Sequence, residues 1–496
     1  MATEPLYTAA EMRAAEEAYE GPTLDLMERA GTAVADDLLT RFAAARRFCV
    51  WCGTCANGGD GFVVARRLRQ AGKEVGIVLV GSEEKVEGDA AENLRRVKEL
   101  GVRLAETGRS AEVLVDALFG TGFRGAPRSD AAAAIEELNA IGRPVVSIDV
   151  PSGVDSSTGE VAGVAVDADR TLTFHGRKVG LAVAPGRFHA GEIEVVDIGL
   201  DQTPTRHRLV TESILDAVPT RGPADNKYTA GSVVVVGGST GFTGAPSLTA
   251  EAAMRAGAGI VTVCVPEPLN PVFELRLVEA MSRPCPADEA GRMAPEGAEA
   301  ILEATEKAKA VAIGPGLGRS AGTQEVVRIL LDRLEVPVVL DADGLWALTG
   351  HLEWVFSRDA PTVLTPHAGE LGRLLDQSSS WVDAHRLEAV SGGADDVGAT
   401  VLLKGADTLV AAPGKGVLVC DLGNPGLATA GTGDVLTGVV AAFLAKGTDA
   451  PTAAAAAAAA GGVAAVIAAE RHGTQGLIAR DVIEALSPAI SRGARA

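Results

Sequence analysis

Phe48-Cys49-Val50-Trp51-Cys52-Gly53-Thr54-Cys55-Ala56-Asn57-Gly58-Gly59-Asp60-Gly61 runs from an apolar stretch through a glycine-rich turn into helical periodicity over 61–71. A short apolar run without polar alternation predicts a strand covered on both faces. Four glycines within Gly53–Gly61, set around Asn57 and Asp60, exceed what a tight turn needs. Backbone stripped of side chains at a helix start presents N–H groups and partial positive charge, which suits an anionic ligand. The segment therefore predicts an α/β domain with a ligand loop at a strand end.

Outward from it, apolar runs at 75–80, 113–115 and 145–148 alternate with helical stretches at 89–100 and 130–141, and runs at 171–174 and 192–198 extend the series. That alternation predicts a parallel sheet with helices on both faces. From 201 to 225 the chain turns polar and carries Pro204, Pro219 and Pro223, so domains are expected at 1–206 and 223–496 with a linker at 207–222. The second α/β pattern has apolar runs at 232–236, 259–265, 310–313, 336–340, 362–364, 400–403 and 408–411. Two doubly wound domains also suit a length of 496 residues, beyond the roughly 250–300 that one core supports.

Composition narrows the function classes. With 65 Asp and Glu against 45 Lys and Arg, the net charge of -20 opposes phosphate backbones and anionic lipid, so neither nucleic acid nor membrane is an expected partner. Residues 1–20 show no secretory signal pattern. The alanine-rich stretch 442–469, broken by Lys446, Asp449 and Pro451, reads as a buried helix rather than a membrane span. Six cysteines in so long a chain predict reduced thiols and a cytoplasmic protein. Cys49, Cys52 and Cys55 have iron–sulfur spacing but lack the fourth cysteine and its proline, and on a strand Cys49 and Cys52 point to opposite faces.

Other strand ends carry chemistry. Gly120-Thr121-Gly122-Phe123-Arg124-Gly125 matches a dinucleotide fingerprint in form, with Asp149 downstream, but Ala126-Pro127-Arg128 follows, so no helix opens on the third glycine. A hydride-transfer enzyme is thus only a rival reading. Asn57, Asp116, Asp149 and Ser152 all sit at strand ends and offer hard oxygen donors for an alkali or alkaline-earth cation, with a carboxylate left to move protons. In the second half, Gly431-Thr432-Gly433-Asp434 precedes a helix expected near Val435. Its N–H groups would hold a phosphoryl group and Asp434 would accept a hydroxyl proton. Lys404-Gly405-Ala406-Asp407-Thr408 follows a buried strand and suits nucleotide phosphates. Gly244-Ala245-Pro246, Gly314-Pro315-Gly316-Leu317-Gly318 and Thr365-Pro366-His367 mark further strand ends, and no His or Cys spacing suggests zinc.

Leu26-Met27-Glu28-Arg29-Ala30-Gly31, the Asn57-Gly58-Gly59-Asp60-Gly61 loop, Asp116-Ala117-Leu118-Phe119-Gly120-Thr121-Gly122 and Asp149-Val150-Pro151-Ser152-Gly153 resemble the NAD(P)H-hydrate epimerase family. The resemblance implies a Rossmann-like domain that interconverts the R and S hydrates of NADH and NADPH. It implies K+ at Asn57, Asp116 and Ser152. The hydrate would lie along Asn57, Gly58, Gly59, Asp60, Gly120, Thr121, Gly122, Phe123, Arg124, Gly125, Ala126 and Asp149, with Asp149 the proton carrier. Cys55 and Ala56 replace the family's usual glycine and first asparagine, which predicts a strained loop and one lost hydrogen bond.

The second-half motifs, with Asp341-Ala342-Asp343, resemble the ADP/ATP-dependent NAD(P)H-hydrate dehydratase family. That implies a ribokinase-like domain with hydrate contacts at Ala245, Gly316, Gly318, His367 and the catalytic Asp434. It also implies nucleotide contacts at Lys404, Gly405, Ala406, Asp407, Thr408 and Gly433, with Mg2+ accompanying ADP or ATP and ADP favoured. Fusion of the halves resembles the bifunctional repair enzymes of hydrated NADH and NADPH, and a homo-oligomer is expected. The rival is a ribokinase-like small-molecule kinase whose first domain binds nucleotide without catalysis.

Overall fold

A computed structural model describes residues 1–493. The chain forms two compact units, one of Pro5–His207 and a second that takes Met1–Glu4 and the chain from Arg208 onward. Strand β1 (Thr3–Leu6) is counted with the second sheet.

In the first unit a seven-stranded sheet contains β2 (Arg47–Cys52), β3 (Glu74–Leu79), β4 (Arg103–Leu104), β5 (Val113–Ala117), β6 (Val145–Ile148), β7 (Arg170–Phe174) and β8 (Glu192–Val196). Its order is β4-β3-β2-β5-β6-β7-β8 and every pairing is parallel. Every residue of β5 and β6 is buried, which explains why these strands carry no polar alternation. Cys49 and Cys52 do face opposite sides of β2, in separate apolar clusters. Strand order reverses between β2 and β5. The loops after those two strands therefore diverge and leave a crevice, the place where open α/β sheets hold ligands.

The second unit's strands are β9 (His207–Val210), β10 (Ser232–Val236), β11 (Ile260–Pro266), β12 (Met281–Cys285), β13 (Ala310–Ile313), β14 (Val338–Leu340), β15 (Thr362–Leu364), β16 (Thr400–Leu403), β17 (Thr408–Ala411) and β18 (Leu418–Cys420). With β1 they form an eleven-stranded sheet in the order β1-β9-β18-β17-β16-β15-β14-β13-β10-β11-β12. Its switch point lies between β10 and β13. The antiparallel turn from β16 to β17 places residues 404–407 in a tight loop. Residues 207–222, expected as a linker, instead hold β9 and the short helix Glu212–Ala217, and Ile214, Leu215 and Val218 are buried in this unit's core.

Helix Ala450–His472 is the one helix among the described residues long and apolar enough to cross a membrane, and most of its apolar stretch is buried inside the protein. Ala453–Ala460 are all buried. A helix that is apolar all round belongs in a core, and methyl-sized side chains let its neighbours approach closely.

Close approach matters most at Gly438, in helix Thr432–Ala445 where it packs on helix Gly244–Arg255. A Cβ there would stand 2.2 Å from the Thr249 carbonyl oxygen, which is rigid backbone. Gly438→Ala is expected to force the helices apart, lower stability by about 1–3 kcal/mol and displace the start of the helix that carries Asp434. Thermal melts and nucleotide-dependent turnover measured on one preparation would check this, with turnover expected to fall even well below the melting temperature.

Candidate functional sites

In the first unit the loop after β2 folds tightly on its neighbours. A Cβ on Gly58 would lie 2.0 Å from the Gly53 carbonyl oxygen, and one on Gly53 would lie 2.0 Å from that of Leu118, so glycine alone fits both places. Helix Ala56–Gln70 then begins with Cys55 as cap residue in extended backbone, φ −99° and ψ −176°. The strain expected at Cys55 is therefore absent, because this geometry suits any residue. The Cys55 thiol donates to the Leu118 carbonyl at 3.4 Å.

Asn57, Asp116 and Ser152 come together around the Phe119 peptide. Asn57 Nδ2 donates to the Phe119 carbonyl at 2.8 Å, and the Phe119 N–H donates to Ser152 Oγ at 2.9 Å. Ser152 Oγ donates in turn to Asp116 Oδ1 at 2.6 Å. The fully buried Asp116 also accepts from Leu118 N, Ser147 Oγ and Ser152 N. Burial raises its pKa, while the hydrogen bonds from Ser152, Leu118 and Ser147 act the other way. A cation beside Asn57 and Ser152 would meet an amide, a hydroxyl and a carbonyl oxygen, with Asp116 supplying charge behind them. Such a donor set fits a hard monovalent cation.

The 120–126 loop borders this cluster. A Cβ on Gly120 would lie 3.2 Å from that of Asn57, Phe123 stacks on Phe119 with ring centroids 4.6 Å apart, and Ser156 Oγ holds the Thr121 carbonyl at 2.8 Å. Gly122, Arg124, Gly125 and Ala126 are exposed, and the next helix opens only at Ser129.

Asp149, directly after β6, has φ +67°, a left-handed conformation uncommon outside glycine. Its Oδ1 accepts from Thr173 Oγ1 at 3.2 Å and Phe174 N at 3.3 Å, and Lys178 Nζ lies 2.6 Å away. Burial and the Asp149 charge push the Asp60 carboxyl well above the ordinary range. The same two causes raise Glu16, on helix Ala9–Glu17. Sequence reasoning missed Glu16 and Lys178, because neither lies in a glycine-rich loop and only the tertiary fold brings them to Asp149.

In the second unit helix Thr432–Ala445 starts three residues earlier than expected, with Gly431 as its cap at φ +90°. The N–H groups of Thr432, Gly433 and Asp434 therefore lie in the first turn, where no intrahelical acceptor exists. Thr249 Oγ1 donates to the Asp434 carbonyl at 3.1 Å. Lys404 Nζ lies 2.9 Å from Asp341 Oδ1 and 3.8 Å from Glu370 Oε2, and a Cβ on Gly433 would stand 3.5 Å from it. Thr437 Oγ1 holds the other Asp341 oxygen at 2.8 Å. Burial, then the Asp341 charge, push the Asp434 carboxyl up to about 7, with Lys404 pulling it down. For Lys404 itself burial opposes the charge, but Asp341, Glu370 and Asp434 outweigh it and the pKa is raised.

Ser239 Oγ donates to the Gly316 carbonyl at 2.8 Å. A Cβ on Gly316 would lie 3.5 Å from that of Ala245, and one on Gly318 would lie 3.2 Å from Ser239 Oγ. These three residues thus meet at the β10/β13 switch point. His367 caps helix Ala368–Leu374: its Nδ1 accepts from Gly369 N at 3.0 Å, which leaves Nε2 as the protonated nitrogen, facing Glu370 at 3.5 Å.

The 404–408 loop is staked from below by Arg386, a residue sequence reasoning did not select. The Arg386 guanidinium lies 3.1 Å from Asp407 Oδ1 and donates to the Asp407 carbonyl at 2.7 Å and to the Lys404 carbonyl at 3.5 Å. Asp407 points inward, so Gly405 and Ala406 form the exposed crest and Thr408 begins β17. Among the described residues no three His, Cys, Asp or Glu side chains converge as a metal cage. Magnesium held mainly by nucleotide phosphates needs none.

Comparison with known proteins covers nearly the whole chain. A family model described as NAD(P)H-hydrate dehydratase matches residues 233–488, and one described as YjeF-related protein N-terminus matches 23–180. The chain is 39% identical to the bifunctional NAD(P)H-hydrate repair enzyme Nnr of Moorella thermoacetica over 97% of this chain and 96% of that protein. It is 33% identical to the Escherichia coli protein of the same name, over 93% and 88%. Among solved structures, a ribokinase-like superfamily protein from Enterococcus faecalis superposes with a TM-score of 0.51 and 25% identity, over 59% of this chain and 98% of that one. With both family models matched in chain order and full-length relatives above 30% identity, the chain belongs to the bifunctional NAD(P)H-hydrate repair enzymes.

Proposed function

We propose that the first unit, approximately 1–206, interconverts the R and S hydrates of NADH and NADPH, and that the second, approximately 223–496, dehydrates the S hydrate at the expense of ADP or ATP, with ADP favoured. The observation that carries this reading is Asp434. It is a carboxylate at a helix N-terminus with its pKa pushed to about 7, beside a half-buried lysine and next to open N–H groups. A base near neutral pH is matched to hydroxyl deprotonation.

In dehydration Asp434 takes the proton of the C6 hydroxyl as its oxygen attacks the terminal phosphoryl group, and the nucleotide leaves one phosphate shorter. The C6–O bond then breaks with its electron pair going to phosphate, C5 loses a proton, and the C5–C6 double bond returns. The N–H groups of residues 432–434 steady the phosphoryl oxygens. Ala245, Gly316, Gly318 and His367 border the hydrate, while Lys404, Gly405, Ala406, Asp407, Thr408 and Gly433 border the nucleotide, Asp407 through its backbone. Mg2+ would offset phosphate charge. In the first unit Asn57, Asp116 and Ser152 would hold K+, which adds fixed positive charge beside the substrate. Asp149 moves the proton at the C6 oxygen, and the loops 57–60 and 120–126 hold the dinucleotide. Six free thiols, five of them buried, suit a reducing cytosol.

The assignment is tested by giving the pure protein the S hydrate of NADH with Mg2+ and ADP, then ATP, and following dihydronicotinamide absorbance. Recovery with at least one donor is expected. A stable phosphorylated product without recovery would instead establish the small-molecule kinase.

A further inference from the structure

Lys178 has no exposed surface, yet its ammonium has a full set of partners: Asp149 Oδ1 at 2.6 Å, Thr173 Oγ1 at 3.0 Å and the Phe174 carbonyl at 2.7 Å. Three donors meet three acceptors, so none remains for a substrate. The partners are themselves linked, since Thr173 Oγ1 accepts from Lys178 and donates to the same Asp149 oxygen. The contacts of the Asp149 carboxylate with Thr173, Phe174 and Lys178 all fall on Oδ1. Among the described residues, Oδ2 accepts no hydrogen bond.

A buried lysine is costly unless a partner holds it, and the pair here also stabilises an aspartate in left-handed backbone. That cost suggests a role beyond stability. We propose that Lys178 is a positioning residue of epimerisation: it clamps Asp149 Oδ1, so that Oδ2 alone is presented to accept the substrate proton. The inference rests on the reading of Asp149 as the proton carrier.

The surroundings explain why the clamp is needed. Asp149 is faced by Glu16 from helix Ala9–Glu17, by Asp60 from helix Ala56–Gln70 and by Lys178 after β7, with Arg13 near Glu16. Of the three carboxyls, Asp149 alone is paired with the lysine. Burial and the Asp149 charge push the Asp60 carboxyl well above its ordinary range, and Glu16 is raised in the same direction. Without Lys178 the three carboxyls would face one another with no ammonium holding Asp149 Oδ1.

The test is the pH profile of kcat/KM for epimerisation, measured on the full chain with Lys178→Gln, Lys178→Met and Lys178→Arg. Dehydration by the same preparations and a thermal melt report folding. Loss of the cation should move the acidic limb up by about one pH unit or more and lower the rate about fivefold or more at the midpoint of the wild-type limb, with activity recovering at higher pH. Lys178→Arg should keep the limb near its wild-type position. Should Met prove too disruptive to fold, the Gln variant carries the test. A uniform loss at every pH, or an unchanged profile, would overturn the proposal. Asp149→Asn separates the two ideas: wild-type epimerisation in that variant removes the proton-carrier reading itself, whatever Lys178 does.

Discussion

Asp434→Asn should leave the protein folded and abolish dehydration, with kcat lowered by roughly 10²–10⁴, the range for losing a positioned general base. Epimerisation, carried out in the other unit, should be unchanged. The wild-type profile follows from the carboxyl at about 7. A base acts when ionised, so dehydration should rise with pH through neutrality and level off above it. The sign for stability is opposite. A folded pKa above the unfolded value means that the unfolded state releases the proton first, so stability falls as pH rises from the ordinary carboxylate range toward about 7. The neutral asparagine avoids that cost, and at pH 8 the variant should be more stable than wild type, by on the order of 2 kcal/mol after allowing for partial solvent contact. Stopped assays across pH 5–9 together with melts at pH 5 and pH 8 would check both halves. Near-normal turnover in the variant would remove Asp434 from its role.

Arg386→Leu is the second large effect. Arg386 and Asp407 are both buried, and their contact is reinforced by the guanidinium bonds to the Asp407 and Lys404 carbonyls. Removing the guanidinium takes away the cation that faces the buried Asp407 carboxylate at 3.1 Å and should cost about 3–5 kcal/mol. It should also loosen the crest of Gly405 and Ala406 and weaken nucleotide binding, read as a higher KM for ADP or ATP. Arg386→Leu combined with Asp407→Asn should regain more than half of the lost stability, because the buried negative charge is then removed together with the guanidinium that faced it. Equal destabilisation in the single and double variants would show that the ion pair is not the source.

What was legible in the sequence follows physical lines. Strands such as Val113–Ala117 and Ser232–Val236 are buried on both faces, so their apolar runs stand out. Those with exposed or polar residues did not: Met281–Cys285 at a sheet edge contains Arg283 and Pro284, and His207–Val210 sits within a proline-punctuated polar stretch. Glycine loops announced both sites because backbone can approach backbone only without a Cβ, as at Gly53 and Gly58. The groups that set charge in those sites were hidden for the converse reason. Lys178 meets Asp149, Arg386 meets Asp407 and Glu370 meets Lys404 only through the fold, and Asp341 pairs with Lys404 across 63 positions of chain. Local pattern carries no record of such pairs.

The alanine run at 453–460 has a consequence for how this protein drifts. Each methyl is shut off from solvent inside the core, and the whole stretch is buried. Low complexity usually marks a segment free to vary, but here the monotony is itself the constraint. Larger side chains overpack the core, polar ones go unpartnered, and glycine weakens the helix. Neutral evolution can therefore wander over the exposed helix faces of this fold while this stretch stays nearly fixed, and a library built across it would return mostly alanine.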